Sequence, residues 1–96
     1  MKHDDRAHLL EAILSLKTAD ELESFLDDLC TIQEIAAMTQ RYEVARLLHQ
    51  GLTYSQIAQI THASTATISR VNRSLVYGED GYETALKRTE KQEEQP

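Results

Sequence analysis

Arginine, hydroxyl and small side chains are concentrated in the segment from Thr65 to Arg73. An arginine guanidinium can bond O6 and N7 of guanine, a hydroxyl can bond a phosphate or a base edge, and a methyl group can contact the methyl of thymine. In a helix, with about 100° of rotation per residue, Ile68 and Val71 point inward while Arg70 and Arg73 point outward. The segment therefore has the chemistry needed to contact DNA bases.

Two short helices joined by a tight turn are predicted between Thr53 and Leu75. Thr53 or Ser55 starts the first helix, and Ser64 is the expected N-cap of the second. Such a pair matches a helix-turn-helix, in which a small residue (Ala58) permits close crossing and a β-branched one locks the pair. The predicted inner faces are Ile57, Ala58 and Ile60 in the first helix, and Ile68, Val71 and Leu75 in the second.

The turn contains a histidine, His62, where such motifs most often have glycine. Histidine tolerates a positive φ better than a branched residue does. The alternative is a helical hairpin that only packs, but packing does not require the absence of acidic residues between Gln50 and Tyr77. The candidate DNA-binding residues are Thr53, Ser55, Gln56, Ser64, Thr65, Ala66, Thr67, Ser69, Arg70 and Arg73.

Charge is unevenly distributed along the chain, whose net charge is −6. Met1 to Thr39 has three basic and nine acidic residues, which gives −6, and Gly78 to Pro96 has three and six, which gives −3. Gln40 to Tyr77 has four arginines and one glutamate, which gives +3. The middle segment is thus the part that would attract a phosphate backbone.

The size and composition limit the classes of protein that the chain can be. Its 96 residues make one expected domain, 1–96, with a thin core that an obligate partner would stabilise. A single cysteine, Cys30, excludes an internal disulfide and a zinc site built on cysteines, and it suits a cytoplasmic protein. The longest apolar run is four residues, at 35–38, too short to cross a membrane or to form a signal peptide.

Three further helices are predicted before the helix-turn-helix. Apolar residues at helical spacing and two Thr-x-x-Glu capping boxes, at 18–21 and 31–34, define their starts. The expected helices are one containing residues 9–16, one of about 19–29, and a long one from Ile32 to about Gln50 that stops at Gly51. The polar tail at about 89–96 is expected to fray.

The long helix carries more apolar residues than one contact within a subunit needs, which favours a homodimer interface. The alternative is a central helix surrounded by neighbours from its own chain. Its apolar residues are Ile32, Ile35, Ala36, Met38, Tyr42, Val44, Ala45, Leu47 and Leu48.

No residue pattern indicates an enzyme or a metal site. His3 and His8 do not have the i, i+4 spacing of helical metal ligands, and His49 and His62 lie in different elements. Acidic residues opposite the apolar stripe of the second helix are ordinary amphipathy. We therefore expect no catalysis, no metal and no cofactor.

The chain resembles the Trp repressor superfamily, and most closely its YerC/YecD-type branch. The resemblance spans nearly the whole chain, and its most specific residues are Thr31, Gln40-Arg41, the run 47–51, the run 66–70 and the run 72–75. It implies an all-α chain of about six helices, with the sixth at about 79–89. It also implies an interlocked dimer with a helix-turn-helix at each end.

The resemblance also implies an effector cleft. In the Trp repressor the corepressor's indole lies between two arginines, whose positions Arg41 and Arg70 match; Thr31, Thr67 and Ser74 match other pocket positions. Val71 departs from the family, since the repressor has glycine there, and one residue is missing before the recognition helix. A valine should fill the cleft, so L-tryptophan is not expected to bind, and another small-molecule effector is left open.

These patterns predict a cytoplasmic, homodimeric transcription regulator that binds a roughly palindromic DNA operator. Repression is favoured over activation, because so compact a protein has no evident surface for recruiting polymerase. The alternatives are a protein-interaction module and the DNA-binding component of a replication or transposition system.

Overall fold

The computed structural model describes the backbone of residues 3–94 and the side chains of residues 4–90. All regular structure in this part is helical. The six helices are α1 (His3–Ser15), α2 (Ala19–Leu29), α3 (Ile32–His49), α4 (Tyr54–Thr61), α5 (Thr65–Tyr77) and α6 (Gly81–Glu94). The predicted fold class, all-α with six helices, is confirmed.

Side-chain caps start α2 and α3. Thr18 Oγ1 accepts from the backbone N–H of Glu21 at 3.1 Å, and the Glu21 carboxylate accepts from the N–H of Lys17 at 2.7 Å. Thr31 and Glu34 bond each other's backbone N–H groups, at 3.0 and 2.8 Å. The second pair is a complete capping box, whereas in the first the glutamate reaches one residue further back than the usual box requires.

Gly51 ends α3, as predicted. Its φ is 90°, and its N–H donates to the carbonyl of Leu48 at 3.0 Å while the N–H of Leu52 donates to that of Leu47 at 3.1 Å. This pair of bonds is the Schellman arrangement, which needs a positive φ that glycine adopts without strain.

The sixth helix differs from the expected range of about 79–89. Asp80 has a φ of 63° and precedes the first helical residue, so the helix begins at Gly81. It continues to Glu94, because lysine, glutamine and glutamate favour helix and neither glycine nor proline interrupts the segment. Residues 95 and 96 of the tail that we expect to fray lie outside the described residues.

The chain divides into two compact units, one ending at Ile35 and the other beginning at Ala36. Within the first unit, none of the residues whose side chains are described is fully buried. Several large apolar side chains there are exposed, including Leu14 (83%) and Ile32 (88%). The first unit therefore has no buried core of its own.

The second unit contains the hydrophobic core. Val44, Ile57 and Ile68 are completely buried, and they come from α3, α4 and α5. This core holds the two helices of the helix-turn-helix, which pack on each other, while α6 packs on α5. Its buried members are Val44, Ala45, Leu47, Ile57, Ala63, Ile68, Val71 and Leu86.

Candidate functional site

The first helix of the helix-turn-helix, α4, starts at a capping box. Thr53 Oγ1 accepts from the N–H of Gln56 at 3.2 Å, and the Gln56 side-chain oxygen accepts from the N–H of Thr53 at 2.9 Å. The sequence Thr-x-x-Gln carries this signal, and of the two starting residues that the sequence left open, Thr53 and Ser55, it is Thr53 that caps the helix. Thr53, Ser55 and Gln56 are all exposed at the N-terminal end of α4. Three of the candidate DNA-binding residues therefore lie together there.

The turn between the helices depends on a residue in the left-handed region. His62 has φ 62° and ψ 16°, and its N–H donates to the carbonyl of Ala58 at 2.9 Å. The position is thus the one that glycine usually takes, as the sequence indicates. The next residue, Ala63, is buried in the core, so its side chain holds the turn against the core.

The second helix, α5, is capped by Ser64, as predicted. Ser64 Oγ accepts from the N–H of Thr67 at 3.1 Å and donates to Thr67 Oγ1 at 3.1 Å. Ile68 and Val71 point into the core, with 0% and 3% of their surface exposed. The buried face fixes which side of α5 is left for contacts with another molecule.

The opposite face of α5 is open. Ser64, Thr65, Ala66, Ser69, Arg70 and Arg73 are exposed, whereas Thr67 is half-buried. Thr67 bonds Ser64, and of the ten candidate DNA-binding residues it is the least accessible. Contact of these side chains with DNA stays a prediction.

The charges around this face are mostly uncompensated. Arg46 pairs with Glu43, the one acidic residue of the middle segment, with an Nη2–Oε1 distance of 3.1 Å. Among the described residues, Arg41, Arg70 and Arg73 have no ion-pair partner. Arg70 and Arg73 therefore place two exposed positive charges on this face of α5, and Arg41 adds an exposed positive charge on α3.

A cleft of about 360 Å³ lies between α3, α5 and the start of α6. It brings together five of the six residues that the resemblance places there: Arg41, Thr67, Arg70, Val71 and Ser74. Thr31 does not line it; this residue belongs to the first unit and caps α3. The complete lining is Ala37, Gln40, Arg41, Thr67, Arg70, Val71, Ser74 and Tyr82.

Val71 lines the cleft without filling it. The expectation that a valine would pack the space with hydrocarbon is only partly correct, because Val71 is itself 97% buried in the core and forms one wall. The remaining volume is near the lower end of the range that small-molecule sites occupy.

Sequence reasoning missed three cleft residues, Ala37, Gln40 and Tyr82. Gln40 belongs to the resemblance, but nothing in its type marks it as lining a cleft. Tyr82 is brought in by α6, and its ring lies 6.3 Å from that of Tyr42. An aromatic residue just after the helix stop at 78–80 is the only signal that could have suggested it.

The described residues form neither a metal site nor a membrane-spanning helix. Among the described residues, no three His, Cys, Asp or Glu side chains are grouped so that they could hold a metal ion. No helix in the described part of the chain has the length and apolarity needed to cross a membrane. The side chain of His3 lies outside the described residues.

Comparison with known proteins agrees with this architecture. The family model described as Trp repressor protein matches residues 5–90. The chain is 56% identical to YerC of Bacillus subtilis strain 168, itself uncharacterized, over 85 residues that cover 88% of this chain and 82% of YerC.

Two crystal structures are also similar. A TrpR-like protein from Eubacterium eligens ATCC 27750 is 53% identical with a TM-score of 0.88, over 92% of this chain and 91% of that one. A candidate Trp repressor from Staphylococcus aureus is 46% identical with a TM-score of 0.89, over 93% and 89%. Since the family model spans most of its length, the chain belongs to the Trp repressor family.

Proposed function

We propose that the protein is a sequence-specific DNA-binding transcription regulator that acts as a homodimer on a roughly palindromic operator. The exposed face of α5 is the observation that carries this proposal, because Arg70 and Arg73 project there beside small and hydroxyl side chains. Membership of the Trp repressor family supports it. One α5 from each subunit enters successive major grooves.

The side chains divide between reading bases and binding phosphates. Arg70, Ala66 and Ser69 contact base edges, since they lie on the exposed face of the half of α5 that enters the groove first. Thr53, Ser55 and Gln56 at the start of α4, with Ser64 and Thr65 at the start of α5, bind phosphates through hydroxyl, amide and backbone N–H groups. Arg73, nearly one turn further along α5, also binds a phosphate, and Thr67 supports the cap of α5.

The homodimer supplies the core that the first unit lacks. A helical segment with no buried side chain does not stay folded in water by its intrinsic propensity alone. Exposed apolar residues of α1 and of the first turn of α3, such as Leu14 and Ile32, are the surface that a second copy covers. The two-fold symmetry of the dimer then sets the symmetry of the operator.

The cleft is the place for an effector, if one regulates the protein. Arg41 and Arg70 offer two guanidinium groups there, with Ser74 as a hydroxyl. Val71 narrows the space that an indole ring would need, so L-tryptophan is not the ligand.

We propose that the protein is cytoplasmic and that it represses transcription. Its single cysteine, Cys30, is free, which suits a reducing compartment. A protein of this size that occupies a promoter blocks other proteins from it, and no separate activating segment is recognisable in the sequence.

Selection of bound duplexes from a random DNA pool, followed by sequencing, tests the proposal. We expect one sequence, roughly two-fold symmetric, to be enriched, with affinity that falls as salt rises. Binding of mixed genomic fragments without enrichment would indicate a component of a replication or transposition system. The absence of salt-dependent DNA binding would contradict the proposal and favour a protein-interaction module.

A further inference from the structure

One polar side chain joins the long helix to the turn of the helix-turn-helix. Gln40, half-buried on α3, donates from Nε2 to the backbone carbonyl of Thr61 at 3.1 Å, across 21 residues of sequence. We propose that Gln40 is a positioning residue for DNA recognition: it holds the turn, and through it the recognition helix α5, in the orientation that fits the groove. This inference rests on the proposed function.

The bonded carbonyl belongs to a residue that organises the turn. Thr61 ends α4, and the carbonyls of a last helical turn have no partner within their own helix. Its hydroxyl donates to the carbonyl of Ile57 at 2.8 Å and accepts from the N–H of Ala63 at 3.2 Å. Gln40 therefore bonds the residue through which the end of α4 is linked to the chain that leads into α5.

The orientation of α5 depends strongly on this turn, although the turn is short. Ile57 and Ile68 bury one face of each helix in the same core, but an apolar contact is not directional. A hydrogen bond to a part-buried carbonyl is directional, and an unsatisfied carbonyl there is unfavourable. Gln40 thus supplies the directional restraint that the apolar core lacks.

Gln40 also lines the cleft, next to Arg41. The same side chain therefore borders the cleft and restrains the turn, although it belongs to neither helix of the helix-turn-helix. Gln40 is not on the exposed face of α5, and its amide already bonds the carbonyl of Thr61. It is therefore not a base-reading residue.

Gln40→Met tests the proposal, because methionine has nearly the same length and no charge but cannot donate a hydrogen bond. The probes are the best duplex enriched from the random pool and a scrambled duplex of equal composition. We expect affinity for the enriched duplex to fall about five- to tenfold, the effect of losing one hydrogen bond, with affinity for the scrambled duplex unchanged. Gln50→Met, at an exposed glutamine beyond the end of α3, is the matched control and should bind like the wild type.

Amide hydrogen exchange supplies a readout that does not depend on DNA. In Gln40→Met the N–H groups of His62 and Ala63 should exchange about five- to tenfold faster, while those of Val44 and Ala45 in the core keep their rates. A general loss of stability would accelerate all four.

Gln40→Asn is the second variant, because it keeps the amide but is one methylene too short to reach Thr61; it should behave like Gln40→Met. Unchanged selectivity in both variants, exchange that rises uniformly through the core, or failure of both variants to fold would each overturn the inference. A wild-type protein that enriches no duplex would overturn the proposed function instead, and exchange at His62 and Ala63 would still show whether Gln40 holds the turn.

Discussion

Arg70 and Arg73 are both exposed on α5, but their surroundings differ. Arg70 also lines the cleft and lies in the half of α5 nearer its N-terminus, whereas Arg73 lies three residues further on. Arg70→Ala should relax the base preference and weaken operator binding by about 1 to 3 kcal/mol. Arg73→Ala should weaken binding to all sequences about equally and lower the salt slope by about one unit.

Binding titrations at several salt concentrations measure both effects. Arg88→Ala, which removes an exposed positive charge from α6, is the control for net charge and should change neither selectivity nor the salt slope appreciably. Operator binding like that of the wild type in both α5 variants would mean that another surface reads the DNA.

Single residues were predictable where a local rule identifies them. His62 stands out because a tight turn needs a positive φ, and Ser64 because a hydroxyl before an apolar periodic run is a cap. Gln40 and Tyr82 could not be found in this way. Their meeting in the cleft depends on how α3, α5 and α6 pack, and periodicity describes one helix at a time.

The elements were predictable at the ends that carry a chemical stop or start signal. The threonine boxes and Gly51 define α2 and α3 to within a residue. Residues 89–94 carry no such signal. The end of α6 therefore depends on helix propensity, and the sequence pattern did not predict where this helix stops.

Gly78 separates α5 from α6. A Cβ there would overlap the carbonyl oxygen of Ser74, to which the N–H of Gly78 donates at 2.9 Å, whereas a Cβ at Gly81 would meet nothing within 4 Å. Gly78→Ala should therefore lower the free energy of unfolding by about 1 to 3 kcal/mol. Gly81→Ala, the matched control, should raise it by up to about 1 kcal/mol, because alanine lowers the entropy of the unfolded chain.

Urea unfolding at one fixed protein concentration measures the difference, since the stability of a dimer depends on concentration. Equal effects of the two substitutions would show that α5 can end without a glycine at residue 78.

The cleft between α3, α5 and α6 gives a prediction about L-tryptophan. Val71 forms a wall of buried hydrocarbon, and forcing a flat ring against it costs about 1 to 3 kcal/mol, or one to two decades of affinity. Operator titrations with and without millimolar L-tryptophan should therefore agree within about threefold. Val71→Ala removes two methyl groups and should bind the amino acid more tightly than the wild type. A tenfold gain for the wild type would show that the cleft already accepts an indole.

At the scale of the whole molecule, the exposed apolar side chains of the first unit need a partner surface to cover them. Its described side chains include none that is buried, yet α1 and α2 are regular helices with apolar side chains on them. A chain of this size also buries a smaller fraction of its surface by itself than a larger domain does. We expect sedimentation at micromolar concentration to give about twice the 10.9 kDa of one chain.

Ile32→Glu tests which surface forms the dimer. Ile32 is 88% exposed at the first position of α3, where a glutamate is favourable for the helix itself, so any loss must come from a contact outside the helix. Burying that carboxylate against a second copy costs about 3 kcal/mol or more, over a hundredfold in the dimer Kd. Gln33→Glu adds the same charge at the next, exposed position and should remain dimeric. A wild-type monomer that is stably folded would contradict both the homodimer and the palindromic operator, because one recognition helix cannot read two half-sites.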